Sequence, residues 1–136
     1  IYAVGNFKSQ KEISTMKAKQ RAAVAEIIMA LTNDGRIKNV YSYELATYIS
    51  LSGTAEKSHV NAYDYSRSCH ITGNSNNGKQ YSLYDYGTSC HISLTVNGKT
   101  ATGYDYGSGY HFSCSVSNRS ASIYDYETGQ HYNYSC

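Results

Sequence analysis

A chain of 136 residues is the size of one ordinary domain, and with 40% apolar residues it can bury a core of its own. Its formal net charge of +2 gives no strong attraction to nucleic acid or to an anionic membrane, and no apolar run is long enough to span one. Sixteen tyrosines against two phenylalanines, with no tryptophan and no proline, point to β-structure with polar turns.

The chain opens on Ile1, which fits either a processed exported protein or a trimmed segment. Together with the Tyr, Ser, Thr and Asn bias, the expectation is an exported protein, secreted or at the cell surface. Residues 9–12, "SQKE", read as a capping box in which Ser9 accepts from the amide three residues on and Glu12 reaches back. Ile13, Met16, Gln20, Ala23, Val24, Ile27 and Leu31 then recur at three- and four-residue steps, flanked by Lys8, Lys11, Lys17, Lys19 and Arg21. This predicts one long amphipathic helix, packed on a neighbouring sheet and stopped by "NDG" at 33–35, where Gly35 suits a left-handed end. The stretch "RIKNVYSYELATYISLSG", from Arg36, fits a strand or a short helix equally.

From His59 onward a repeat dominates. The frame Tyr-Asp-Tyr, four residues, His, then a large residue starts at Tyr63, Tyr84, Tyr104 and Tyr124, in steps of 21, 20 and 20 residues. Such a period calls for a repeat architecture. Each unit holds two alternating stretches separated by turn residues, and "NNGK", "NGK" and "NRS" follow the second stretch. Four β-hairpins result. The fold expected is therefore α+β: residues 1–58 form a helical segment packed on an eight-strand antiparallel meander, open or closed into a barrel, built from residues 59–136. The whole makes one compact domain.

A three-residue turn at 87–89 would set Asp85 opposite His91, and likewise Asp64 opposite His70, Asp105 opposite His111 and Asp125 opposite His131. Residues opposite each other in an antiparallel pair share a face. A three-residue "NGK" loop preserves this parity, whereas a two-residue turn alone would scatter the buried set across both faces. A structural row alternating Asp and His across the sheet is thus expected. Tyrosines, Ile71, Ile92, Phe112 and the cysteines would occupy the other face. That arrangement favours a meander over a parallel solenoid, which would stack the four carboxylates one strand spacing apart. The four cysteines match no zinc spacing, and equivalent strands of a meander lie about 9.5 Å apart, beyond disulfide reach. They are read as apolar fillers, with Cys136 the one placed to pair between molecules.

His with Asp can bind Zn²⁺, yet four identical pairs suit a structural ladder better than one site, and no hydrolase, zinc-protease or phosphate-loop motif is present. No metal ligand, cofactor or catalytic residue is assigned. Tyr84, Tyr86, Tyr104, Tyr106, Tyr124 and Tyr126 are the candidate binding residues, since tyrosine offers apolar area with a polar tip. The function expected is a non-enzymatic binding or structural module. Its partner would be an extended polymer such as a polysaccharide, or another copy of itself. A self-assembling fibre subunit is the second reading, and a small Asp/His metal protein or enzyme the third.

Overall fold

The computed structural model describes residues 16–136. The capping box at Ser9 and Glu12, the flanking Lys8 and Lys11, and Ile13 lie outside the described residues. The helix α1 (Ala18–Thr32) carries the run "AAVAEIIMAL", which is apolar on nearly every side. A helix of that kind has to be enclosed rather than laid on a surface. Every residue from Gln20 to Ala30 is buried. Gly35 ends the helix with φ +79°, and its N–H donates to the Ala30 carbonyl at 2.9 Å. No helix among the described residues is long and apolar enough to cross a membrane.

Twelve strands surround it: β1 (Arg36–Ile37), β2 (Val40–Ser42), β3 (Thr47–Ile49), β4 (Leu51–Ala55), β5 (His59–Asp64), β6 (Cys69–Asn74), β7 (Gln80–Asp85), β8 (Cys90–Asn97), β9 (Thr100–Asp105), β10 (Tyr110–Ser117), β11 (Ser120–Asp125) and β12 (Gln130–Ser135). All pairings are antiparallel, in the order β1-β4-β5-β6-β7-β8-β9-β10-β11-β12-β2-β3. The expected α+β fold, a long amphipathic helix on an eight-strand meander, is corrected here. The described residues form a twelve-strand curled half-barrel around one short helix, and the segment before residue 59 supplies four of the strands.

Those four strands are the two arms of one bent hairpin. Only Lys38 and Asn39 separate β1 from β2, and only Ser50 separates β3 from β4. At the bend, Asn39 Oδ1 accepts from the Leu51 N–H at 3.1 Å. Arm β4 pairs with β5, while β2 pairs with β12 through Ser42 and Tyr134. The ends of the strand order are therefore joined through the chain itself, and the curl returns on itself at this hairpin.

Register decides which side chains face the helix. Asp85 pairs with Cys90, Tyr84 with His91 and Leu83 with Ile92. The connecting turn thus holds four residues, 86–89, rather than three. At the other end Asn97 pairs with Thr100, leaving a two-residue turn whose Gly98 has φ +63°. One loop is a residue longer than expected and the other a residue shorter, so the period is unchanged while the first strand of every hairpin is turned over. The inward face carries Ile71, Leu83, Ile92, Leu94, Phe112 and Ile123, all fully buried with the helix in one core. A side chain at Gly103 would occupy the space of the Phe112 ring, which accounts for glycine within that strand.

Candidate functional site

The shifted register separates Asp from His. Every repeat aspartate points inward and every repeat histidine outward, so the expected Asp/His row does not form. Asp64, Asp85, Asp105 and Asp125 are at most 2% exposed. Each sits at a strand end and folds its carboxylate over its own turn. Oδ1 of Asp64 accepts from the Ser66 N–H at 3.0 Å, Asp85 from Gly87 at 2.8 Å, Asp105 from Gly107 at 3.1 Å and Asp125 from Glu127 at 2.9 Å. This side-chain turn is the local chemistry for which aspartate is selected. The fourth residue of each turn takes the left-handed conformation: φ is +54° at Ser68, +56° at Ser89, +78° at Gly109 and +69° at Gly129.

Two guanidiniums serve this buried rim. Arg67 donates from Nε to Asp64 at 2.7 Å and from Nη1 to Asp85 at 3.0 Å. Arg21, reaching up from α1, meets Asp125 at 3.1 Å and Glu44 at 2.9 Å. Burial opposes charge on Arg67, but Asp85 and then Asp64 outweigh it and its pKa is raised. Asp105 has no ion-pair partner among the described residues, and burial pushes its carboxyl pKa up. These carboxylates are architecture, enclosed and committed to their turns. Among the described residues no three His, Cys, Asp or Glu side chains gather as metal ligands would. The four cysteines are unpaired; Cys114 is buried and its thiol pKa is pushed up to about 12 by that burial.

The surface that can meet a ligand lies outside. Tyr84 stands between Tyr86, two residues on, and His91, its cross-strand partner, with ring centroids 4.8 and 4.9 Å away. The same edge-on triad recurs in Tyr63, Tyr65 and His70 and in Tyr104, Tyr106 and His111. In Tyr124, Tyr126 and His131 the histidine is tilted instead. Neighbouring triads are tied in register through the backbone, because the Tyr86 N–H donates to the His70 carbonyl, Tyr106 to His91 and Tyr126 to His111. The central tyrosines are half-buried. Tyr65, Tyr86, Tyr106 and Tyr126 are 56–62% exposed. The six tyrosines singled out from the sequence all lie on this girdle, together with Tyr63 and Tyr65, which were not singled out.

A fifth triad escaped the sequence reading. Tyr41, Tyr43 and Tyr48 stack at 5.0 Å on the bent hairpin, with Tyr48 where the other units have His. Ser42 takes the place of Asp, its Oγ accepting from the Leu45 N–H at 3.2 Å, and Ala46 supplies the left-handed residue at φ +55°. The signal was present: Tyr41 stands seven residues before Tyr48, as Tyr63 stands before His70.

Below the girdle the outward positions of β5–β12 are uncharged, and Thr72, Ser82, Ser93, Thr102, Ser113 and Ser122 make the next row. Between the third and fourth hairpins, Tyr110, His111 and Tyr126 with Thr102 and Ser113 enclose a shallow, mostly apolar hollow of about 340 Å³. Aromatic faces beside hydroxyls, with no charge, can stack on and hydrogen-bond an uncharged polar ligand. Replacing His91 with alanine removes one edge of one triad and no buried partner. We expect a loss of about 0.5–1.5 kcal/mol in urea unfolding; a loss several times larger would show that the imidazole has a structural role absent from this geometry. Compared with protein-family models, curated proteins and solved structures, the chain shows no significant match to any of them.

Proposed function

We propose that the protein is an exported, non-enzymatic binding module whose outward girdle of tyrosine and histidine holds an extended, uncharged carbohydrate. The observation that carries this reading is the in-register recurrence of one solvent-facing aromatic triad on five hairpins. Equivalent triads lie two strands apart, about 9.5 Å, roughly the length of two pyranose rings in an extended chain. A polymer can therefore repeat the same contact from one hairpin to the next. Because the girdle is convex, such a chain engages two or three adjacent triads at once, and each added contact acts through effective concentration. A single small substrate would use one triad and leave four idle.

Assembly into fibres through sheet edges has little to work with. The ends of the strand order are the two residues of β1 and the three of β3.

Affinity electrophoresis through gels containing neutral polysaccharides tests the proposal. Retardation by at least one polymer is expected. Tyr86→Ala should weaken binding about three- to tenfold, and the pair Tyr86→Ala with Tyr106→Ala more than either alone. No retardation by any neutral polymer, or complete loss from the single change, would overturn the reading.

A further inference from the structure

We propose that the cleft between β1 and β12, at the end of the molecule away from the girdle, binds the oxyanion group of a small phosphorylated or carboxylated ligand. Arg36, Lys38 and Arg119 would hold the anion, over Glu26 at the floor.

The cleft has a volume of about 270 Å³ and lies where the bent hairpin and the last strand diverge. That is near the lower end, about 300 Å³, of ordinary small-molecule sites. Its floor is unusual. Glu26 is 1% exposed, its Oε2 accepts from the Lys38 N–H at 2.7 Å, and its buried Oε1 has no nitrogen or oxygen partner, with the weakly donating Cys136 thiol the other polar group beside the carboxyl. A buried polar atom left unpaired at the base of an open cleft is one that a ligand can satisfy.

Charge at the mouth selects the ligand. Three cations line the cleft against two acids, Glu26 at the floor and Asp34, the latter already engaged by the Arg36 N–H at 3.1 Å and by Lys38 Nζ at 3.5 Å. The plainer explanation is that cations gather here to complement the C-terminal end of α1. That role is filled separately: Lys99 Nζ donates to the Thr32 carbonyl at 3.3 Å, and Asn33 Nδ2 to the Met29 carbonyl at 2.8 Å. Arg36 and Arg119 make no salt bridge among the described residues, so their charge is available.

Glu26 also sets the conditions of binding. Ionised, it repels an anion; protonated, it donates an O–H to one. The titratable and charged groups lining the cleft with it are Asp34 after α1, Arg36 and Lys38 at β1, Arg119 in the β10–β11 turn and Cys136 after β12. Burial holds the Glu26 pKa at about 7. Binding should therefore take up about half a proton at pH 7, approaching one as pH rises above 8.

Calorimetric titration of the full chain with sulfate and, separately, with acetate tests this, since neither anion titrates between pH 6 and 8. Saturable binding at pH 6 is expected, about tenfold weaker at pH 8. A preference for sulfate assigns the phosphoryl class, and a preference for acetate the carboxylate class. Arg119→Ala, in an exposed turn, should weaken binding about tenfold or more. Glu26→Gln, if it folds, should bind equally at both pH values. The proposal is overturned if the folded protein shows no saturable binding of either anion below about 10 mM, or if both Arg36→Ala and Arg119→Ala bind as the unchanged protein does.

Discussion

Replacing Asp85 with alanine should destabilise the protein by about 3–5 kcal/mol, several times the effect of His91→Ala in the same hairpin. The side chain is fully buried, with two separate attachments. Its Oδ1 fixes the turn through the Gly87 N–H at 2.8 Å, and both oxygens accept from Arg67 Nη1, at 3.2 and 3.0 Å. Alanine frees the Gly87 N–H and strips Nη1 of its carboxylate, leaving the largely enclosed Arg67 held only by Asp64 through Nε at 2.7 Å. Losing half of a shared buried ion pair together with the turn bond is the costly outcome. Asp85→Asn keeps the turn bond and loses the charge, so it should fall between the two. Urea midpoints of the three variants measured together check the order. If Asp85→Ala and His91→Ala were equal, the aspartate would not be the turn's anchor.

The second large effect is a pH dependence with the opposite sign to that of most carboxylates. Burial raises the Glu26 pKa to about 7, with the Lys38 N–H pulling more weakly the other way. The unfolded value is about 4.3. Below about pH 4.3 the group is protonated in both states and carries no penalty. As pH rises from there to 7 the unfolded chain gives up the proton while the folded chain keeps it, so stability falls. Above 7 both are ionised and the slope disappears. The accumulated cost is on the order of 3 kcal/mol. Glu26→Gln removes it and preserves an acceptor for Lys38. Denaturation in buffer free of sulfate and phosphate should show the variant gaining on the unchanged protein from pH 4.5 to 7, then running parallel to it. A gap that did not change with pH would refute the buried, proton-holding Glu26.

Much of the arrangement was legible in the residues, and what was not has specific causes. The 20-residue period and the paired stretches identify hairpins, and Ile71, Ile92 and Phe112 do share one face with Cys69, Cys90 and Cys114. The fault lay in turn length. The constant six-residue spacing from Asp to His suggests that Asp85 has a cross-strand partner, when its short carboxylate is better satisfied two residues ahead, by Gly87. The loop after β8 then has to be a two-residue turn, Gly98–Lys99, with Asn97 paired to Thr100, and a three-residue loop there hides the compensating error. Because the two mistakes cancel in every period, nothing in the spacing exposes them. The fifth hairpin was missed because Ser42 and Tyr48 replace the two residues by which the frame was recognised. Lys8, Lys11, Lys17 and Lys19 on its flanks make the helix read as amphipathic, packed on the sheet by one face. The apolar run from Ala22 onward, interrupted only by Glu26, argues for enclosure.

The bonds from each turn to the hairpin before it have a consequence for motion. Loop tips ordinarily exchange their amide hydrogens fastest, because nothing must open to expose them. Here the first amide of every repeated turn is held by a neighbouring carbonyl: Tyr65 by Ser50, Tyr86 by His70, Tyr106 by His91, Tyr126 by His111 and Tyr43 by Asn133. The five tips form a hoop, and freeing one means prising it from the next. Tyrosines carried on such a hoop have lost most of their backbone freedom before any ligand arrives. Little further ordering entropy then opposes binding, and stacking contacts that are weak one at a time can count nearly in full.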